Sequence, residues 1–167
     1  MNDFHTALAH VKQLVYQPNH FTISDVCEER QNSEYGAGVF LLNTNSIRFR
    51  VAKVTPTKIG QFVAMWEKDE HHNNQPFSYD ESPDLLVINT FTKEHFGQFV
   101  FPKAILATHR ILKTDSTNGK MAIRVYPSWD TPTSKQAIAT QNWQLDYFID
   151  LSDVTAEPSH TILELYA

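Results

Sequence analysis

Residues Ser46 to Lys68 read SIRFRVAKVTPTKIGQFVAMWEK, and the organisation of the chain follows from this stretch. Ile47, Phe49 and Val51 alternate with Arg48, Arg50 and Ala52, the period-two pattern of a strand. Thr55-Pro56-Thr57 interrupts it, because proline has no N–H for the ladder and biases the residue before it to extended geometry. After Gly60 a second apolar run, Gln61 to Trp66, ends in a charged tip. Five cations, Arg48, Arg50, Lys53, Lys58 and Lys68, stand here against one acid, Glu67, in a chain whose net charge is −5. So concentrated a basic segment in an acidic protein needs a physical reason.

Upstream, Phe4, Leu8, Val11, Leu14 and Val15 fall at helical spacing, with Asn2 or Asp3 as cap, and predict an amphipathic helix over residues 4–16 that Gln17-Pro18-Asn19 stops. Residues 22–35 are polar and acidic and read as loop, with a short extended piece near Phe21 to Val26. Val39 to Leu42 predicts a strand, and Asn43-Thr44-Asn45 a hairpin turn into the strand that begins at Ser46. Downstream, residues 69–83 (DEHHNNQPFSYDESP) read as a long loop, and Asp84 to Asn89 (DLLVIN) as a buried central strand. Gln98 to Phe101 reads as a further strand, and Pro102 opens a short helix that ends near His109. Met121 to Tyr126 alternates as a strand, Thr133 caps a helix running to about Asp146 with Ala137, Ile138 and Trp143 toward the core, and His160 to Tyr166 reads as a final strand. Some seven short strands with two or three marginal helices predict a single α+β domain over residues 1–167, built on a curled, mostly antiparallel sheet.

The totals bound the function classes. With 167 residues, 41% hydrophobic and eleven Phe, the chain can bury a proper core. No apolar run approaches the about 18 residues that cross a bilayer, and the N-terminus lacks a signal-peptide pattern, so a soluble cytoplasmic protein with no membrane partner is expected. A single cysteine, Cys27, excludes an internal disulfide and a cysteine-rich metal site. Charge is segregated along the chain. Residues 35–68 carry five cations and one acid and residues 85–135 carry seven and three, whereas residues 69–84 and 136–167 hold five acids each and no cation.

FRVAKVTPTKIGQFVAMWEK resembles the signature of the MepB-like family of small bacterial proteins, and PFSYDESPDLLVI, GQFVFPKAIL and GKMAIRVYPSW follow in the family's order. The resemblance spans roughly Gly36 to Phe148. It implies a fold like the DNA-binding pseudobarrels, such as the effector-binding domains of some restriction endonucleases.

The residues themselves point to nucleic acid, DNA before RNA, as the leading partner. Arg48 and Arg50 share one strand face, Arg124 and Tyr126 another, and an arginine fork grips a phosphate or a guanine edge through two hydrogen bonds. Lys53, Lys58 and Lys103 would add salt-dependent phosphate attraction, and Thr55 and Thr57 in the proline-stiffened loop would donate to phosphate oxygens. Trp129, in Tyr126-Pro127-Ser128-Trp129, would stack on a base. The same side chains read also as a solvated face, as partners of the acids in residues 69–84, or, for Trp129, as a plug at the core's edge. No cofactor is expected, and binding without catalysis is the expected function.

Two other classes stay open. A metal-dependent nuclease would start from Pro83-Asp84, with Lys93 nine residues on, but the triplet before that lysine reads Phe91-Thr92-Lys93 where an acid is wanted; Glu34 or Glu94 would have to substitute. A protein-interaction or small-ligand module would use Trp66, Trp129 and the acidic loop. Weaker signals are the His71-His72 pair, whose neighbouring side chains rarely converge on one metal, and Cys27, whose thiolate is disfavoured among the acids of DVCEER. There is no Gly-x-Ser-x-Gly turn and no phosphate-binding glycine loop.

Overall fold

The computed structural model describes residues 3–167. Asp3 caps helix α1 (Phe4–Val11) by accepting from the Thr6 N–H and hydroxyl at 2.9 Å; Asn2, the alternative cap, lies outside the described residues. A π-helical turn, Lys12–Tyr16, continues α1 to the end expected from the apolar spacing.

The strands are β1 (Ile23–Glu28), β2 (Gly38–Leu42), β3 (Asn45–Val51), β4 (Lys53–Val54), β5 (Gln61–Ala64), β6 (Trp66–Lys68), β7 (Asn74–Pro76), β8 (Leu85–Phe91), β9 (Phe96–Pro102), β10 (Ala122–Val125) and β11 (Phe148–Asp150). The further helices are α2 (Lys103–Thr108), α3 (Lys135–Gln144) and α4 (His160–Leu165). A six-stranded sheet has the order β1-β2-β3-β8-β9-β11; β3 and β8 run parallel and every other neighbouring pair is antiparallel. A three-stranded sheet has the order β10-β5-β4, and β6 and β7 form a hairpin. This is an α+β fold with a mostly antiparallel main sheet. The sheet is open, with β1 and β11 as its two edges, so the closure implied by the pseudobarrel resemblance is not found.

Strand alternation divides the core into two layers. Ile47, Phe49, Val51, Leu85, Val87 and Val100 face α1 and α4, where they meet Phe4, Leu8, Val11, Ile162 and Tyr166. Leu86, Ile88, Phe99 and Phe101 face the opposite way and meet Val63, Ile123 and Val125 of the small sheet, with Met65 just past β5 and Leu106 of α2. The main sheet is therefore covered on both faces, which is why β8 reads as a continuous apolar run. Gly38 is required by this packing, since a Cβ there would enter the Phe4 ring.

Three local expectations are corrected. His160–Leu165 is a helix, capped by Ser159 Oγ accepting from the Ile162 N–H at 3.3 Å; Ile162 and Tyr166 are buried four residues apart, a helical spacing that six residues do not separate from alternation. Residues 69–83 are not all loop, for Asn74–Pro76 pairs with Trp66–Lys68 across a turn in which Asp69 Oδ1 accepts from the N–H groups of His71 and Asn73. The cap of α3 is Ser134 rather than Thr133, and Ile138 points to solvent at 43% exposure while Trp143 packs on the inner layer.

Candidate functional site

The cations of the opening stretch separate into different environments. Arg48 and Arg50 share a face of β3, as their alternation requires, but that face is roofed by the small sheet. The Arg50 side chain is 0% exposed; its Nη1 donates to Glu29 Oε1 at 2.7 Å and to the Phe49 carbonyl at 2.9 Å, and its Nε to the Ala64 carbonyl at 3.3 Å. Arg48 Nε lies 3.5 Å from the same Glu29 oxygen, and its guanidinium sits 3.6 Å over the Phe77 ring. Burial pulls both guanidinium pKa values down, and Glu29 opposes that pull. The expectation that Arg48 and Arg50 form an exposed face is thus corrected. Their role is to hold β3 against the small sheet and the segment around Glu29.

Arg124 and Lys58 stay near solvent and are brought together. Arg124 on β10 donates through Nη1 to Thr55 Oγ1 at 3.0 Å and to the Gly60 carbonyl at 3.2 Å, which folds the proline-stiffened loop down beside β10. Gly60 permits that loop, with φ +87°, and any Cβ there would meet the Tyr126 ring at 2.8 Å. Helix α3 closes the other side. Gln144, 1% exposed, accepts from the Tyr126 N–H at 2.9 Å and donates to the Arg124 carbonyl at 3.0 Å. Gln141 Nε2 donates to the Pro127 carbonyl at 3.1 Å and the Asp130 carbonyl at 2.8 Å. The result is a cleft of about 450 Å³ between β10 and α3.

Lys58, Lys120 and Arg124 line this cleft with Tyr126, His109 and Trp143, and no carboxylate does so among the described residues. His109 stacks flat on Trp143, with ring centroids 3.8 Å apart, and desolvation lowers its pKa, so the ring is neutral down to a more acid pH than an ordinary histidine. Three fixed positive charges without a compensating acid make an anion site, and the aromatic wall suits a ligand that carries planar groups.

Of the ten residues picked out from the sequence, the cleft gathers Lys58, Arg124 and Tyr126, with Thr55 bonded to Arg124 beside it. Thr57 is exposed in the adjoining loop. Lys53 lies 3.7 Å from Glu34 and 4.6 Å over the Tyr35 ring. Lys103 is elsewhere, 4.7 Å over Tyr79. Trp129 does not reach the cleft; it stacks on His95 at 4.7 Å and meets Phe148 edge-on, the plug at the edge of the core. Lys120, His109 and Trp143 escaped the sequence reading, although Lys120 directly precedes the Met121–Val125 alternation that exposed Arg124.

The nuclease residues are dispersed. Asp84 Oδ2 accepts from the Ser46 N–H at 2.9 Å and hydroxyl at 3.1 Å, fastening β8 to β3, whereas Lys93 lies beyond the opposite end of β8, roughly 20 Å away at strand rise. Among the described residues no three His, Cys, Asp or Glu side chains gather closely enough to hold a metal ion, and no helix is long and apolar enough to cross a membrane.

The MepB-like family model matches residues 29–150, which include β2 to β11 and both walls of the cleft. The crystal structure of MepB is 38% identical to this chain, covering 86% of it and 95% of its own length, with a TM-score of 0.78. The structure of the bacterial homing endonuclease I-Ssp6803I is 11% identical with a TM-score of 0.45, covering 86% of either chain, a likeness too slight to inform the chemistry. A search of the curated proteins returned no match. The matched family model and the identity to MepB agree over the bulk of the fold: this chain belongs to the MepB-like family.

Proposed function

We propose that the protein binds nucleic acid through the cleft between β10 and α3, with Lys58, Lys120 and Arg124 on phosphates and without catalysis. The observation that carries this reading is the uncompensated charge: three cations line one cleft in a protein of net charge −5, and no acid shares that lining among the described residues. Several cations elsewhere are paired or capped, Arg50 by Glu29, Lys53 by Glu34 and Lys103 by the Tyr79 ring. DNA is the first polymer to test and RNA the second, since cations aimed at phosphates do not by themselves discriminate the sugar.

Fluorescence anisotropy with labelled DNA across a salt series tests this. Three phosphate contacts give a slope of log K against log salt of about −2 for single strands and −2.7 for duplex, so affinity falls roughly 20- to 40-fold between 50 and 200 mM salt. Lys58→Ala with Lys120→Ala removes two exposed charges that brace nothing, and leaves a slope of about −0.7 to −0.9. A slope near zero in the wild type, or a slope unchanged in the double variant, overturns the assignment. Arg48→Ala and Arg50→Ala are unsuitable for this purpose, because they remove a buried brace along with a charge.

A further inference from the structure

The segment that brings Lys120 to the cleft contains a chemically reactive pair. Thr114 and Thr117 pair across the turn Asp115-Ser116, with N–H to carbonyl bonds of 3.0 and 3.4 Å. The returning chain is next fastened at Lys120, whose N–H donates to the Ile111 carbonyl at 2.9 Å. Between these two anchors lie Asn118, which is exposed, and Gly119. Neither the Gly119 N–H nor the Asn118 side chain makes a hydrogen bond among the described residues. Asn19, Asn32, Asn45 and Asn89, by contrast, each donate the side-chain amide to a backbone carbonyl, and each precedes a residue with a Cβ.

Packing imposes the glycine. Its φ is +75°, and a Cβ there would lie 2.8 Å from the Lys113 nitrogen and 2.9 Å from Pro76 Cβ of β7. Asn118 is therefore followed by the least hindered backbone nitrogen a chain can offer, and asparagine is a thermolabile residue. The Gly119 nitrogen attacks Asn118 Cγ and a C–N bond forms. The bond from Cγ to the side-chain nitrogen breaks, and that nitrogen leaves as ammonia with the proton given up by Gly119. Water then opens the cyclic imide at either carbonyl. The products are an aspartate, or an isoaspartate whose chain runs through the former side-chain carbon. Each carries a carboxylate where a neutral amide stood.

We infer that Asn118-Gly119 is a site of spontaneous deamidation, and that its product weakens anion binding in the cleft. The chemical step stands by itself, whereas its effect on binding rests on the cleft reading. Lys58, Lys120 and Arg124 line the cleft without an acid, and a carboxylate two residues before Lys120 supplies one. The isoaspartate also inserts a backbone atom between the Thr114–Thr117 pair and the Lys120 bond to Ile111, which shifts Lys120 relative to Arg124. The cleft then acts as though it had lost one of its phosphate contacts. Water is the only co-reactant, so the protein's binding strength declines with its age.

The test ages the full chain at mildly alkaline pH, where the attacking nitrogen gives up its proton more readily, and follows peptide masses after digestion. The peptide containing Asn118 should make the amide-to-acid mass change before any other asparagine peptide. Its rate should lie within about tenfold of that in the urea-unfolded chain, since opening a loop costs little. In the anisotropy salt series with labelled DNA, the aged protein should show a slope smaller by about 0.7 to 0.9, the share of one phosphate contact. Asn118→Gln, whose longer side chain closes a larger ring far more slowly, should keep the wild-type slope through the same treatment. An Asn118 that stays intact while the unfolded chain deamidates overturns the site and leaves the cleft reading standing. Complete conversion with an unchanged slope overturns the effect on binding. Fresh protein without salt-dependent binding overturns the cleft reading and the effect drawn from it, and the mass change still decides the modification.

Discussion

Glu29→Ala is the substitution whose effect on folding is most fully determined by the structure. Glu29 Oε1 is 2.7 Å from Arg50 Nη1 and 3.5 Å from Arg48 Nε, with Arg50 wholly out of water and Glu29 itself 17% exposed. Removing the carboxylate strands two guanidiniums at the junction of the sheets, and an orphaned buried charge costs about 3–5 kcal/mol. In a chain of this size each kcal/mol lowers Tm by roughly 2–4 °C, so Tm should fall by roughly 6–20 °C. The comparison is Arg50→Met, which fills similar space without charge. It strands no cation, because Arg48 remains beside Glu29, and forfeits chiefly the bonds to the Phe49 and Ala64 carbonyls. Its loss should be less than half that of Glu29→Ala. Thermal and urea unfolding followed by circular dichroism measure both. A Glu29→Ala protein melting within about 2 °C of the wild type, or an Arg50→Met protein that is the less stable of the two, refutes the reasoning.

Tyr166→Phe removes a buried hydroxyl that donates to Gln98 Oε1 at 2.8 Å and lies 3.0 Å from the Tyr16 hydroxyl, so it should cost about 1–3 kcal/mol in urea unfolding. A near-neutral result would mean that the α4 end of the chain is held by packing alone. The cleft histidine predicts a pH dependence of binding. Desolvation holds His109 below its ordinary value of 6.5, and the cations sharing its cleft, Lys58, Lys120 and Arg124, offer it no partner. A bound phosphate favours the charged ring, so binding takes up a proton and affinity should rise as pH falls below about 6.5. The unliganded protein should show the opposite sign, since the unfolded chain takes up that proton first and stability is lost as pH falls through the same window. Anisotropy titrations at several pH values check the first, and His109→Gln should flatten the curve.

The strands that are long or wholly apolar were legible because their pattern is local. Asp84 to Asn89 announced β8, and Ile47, Phe49 and Val51 announced β3. What alternation cannot convey is whether another layer covers the second face. Arg48 and Arg50 fall on one side of β3 as the pattern says, but β5 and β6 fold back over that side, and the ion pair with Glu29 spans 21 residues. The cleft is equally non-local: Arg124 reaches the Thr55–Gly60 loop across more than 60 residues, and Lys120 and His109 gain meaning only once that loop is placed. Phe148–Asp150 was missed because three residues are too few for any period to declare itself.

Gln144 has a consequence that reaches past the cleft. β10 is the outermost strand of its sheet, and such a strand ordinarily offers unpaired backbone groups to any other chain that drifts past. Here a side-chain amide occupies two of those groups, the Arg124 carbonyl and the Tyr126 N–H, as the backbone of a further strand would. The helix lends one residue as a counterfeit strand. The end of β10 that borders the cleft is thereby closed to strand pairing at those two groups, by the same amide that shapes the opening.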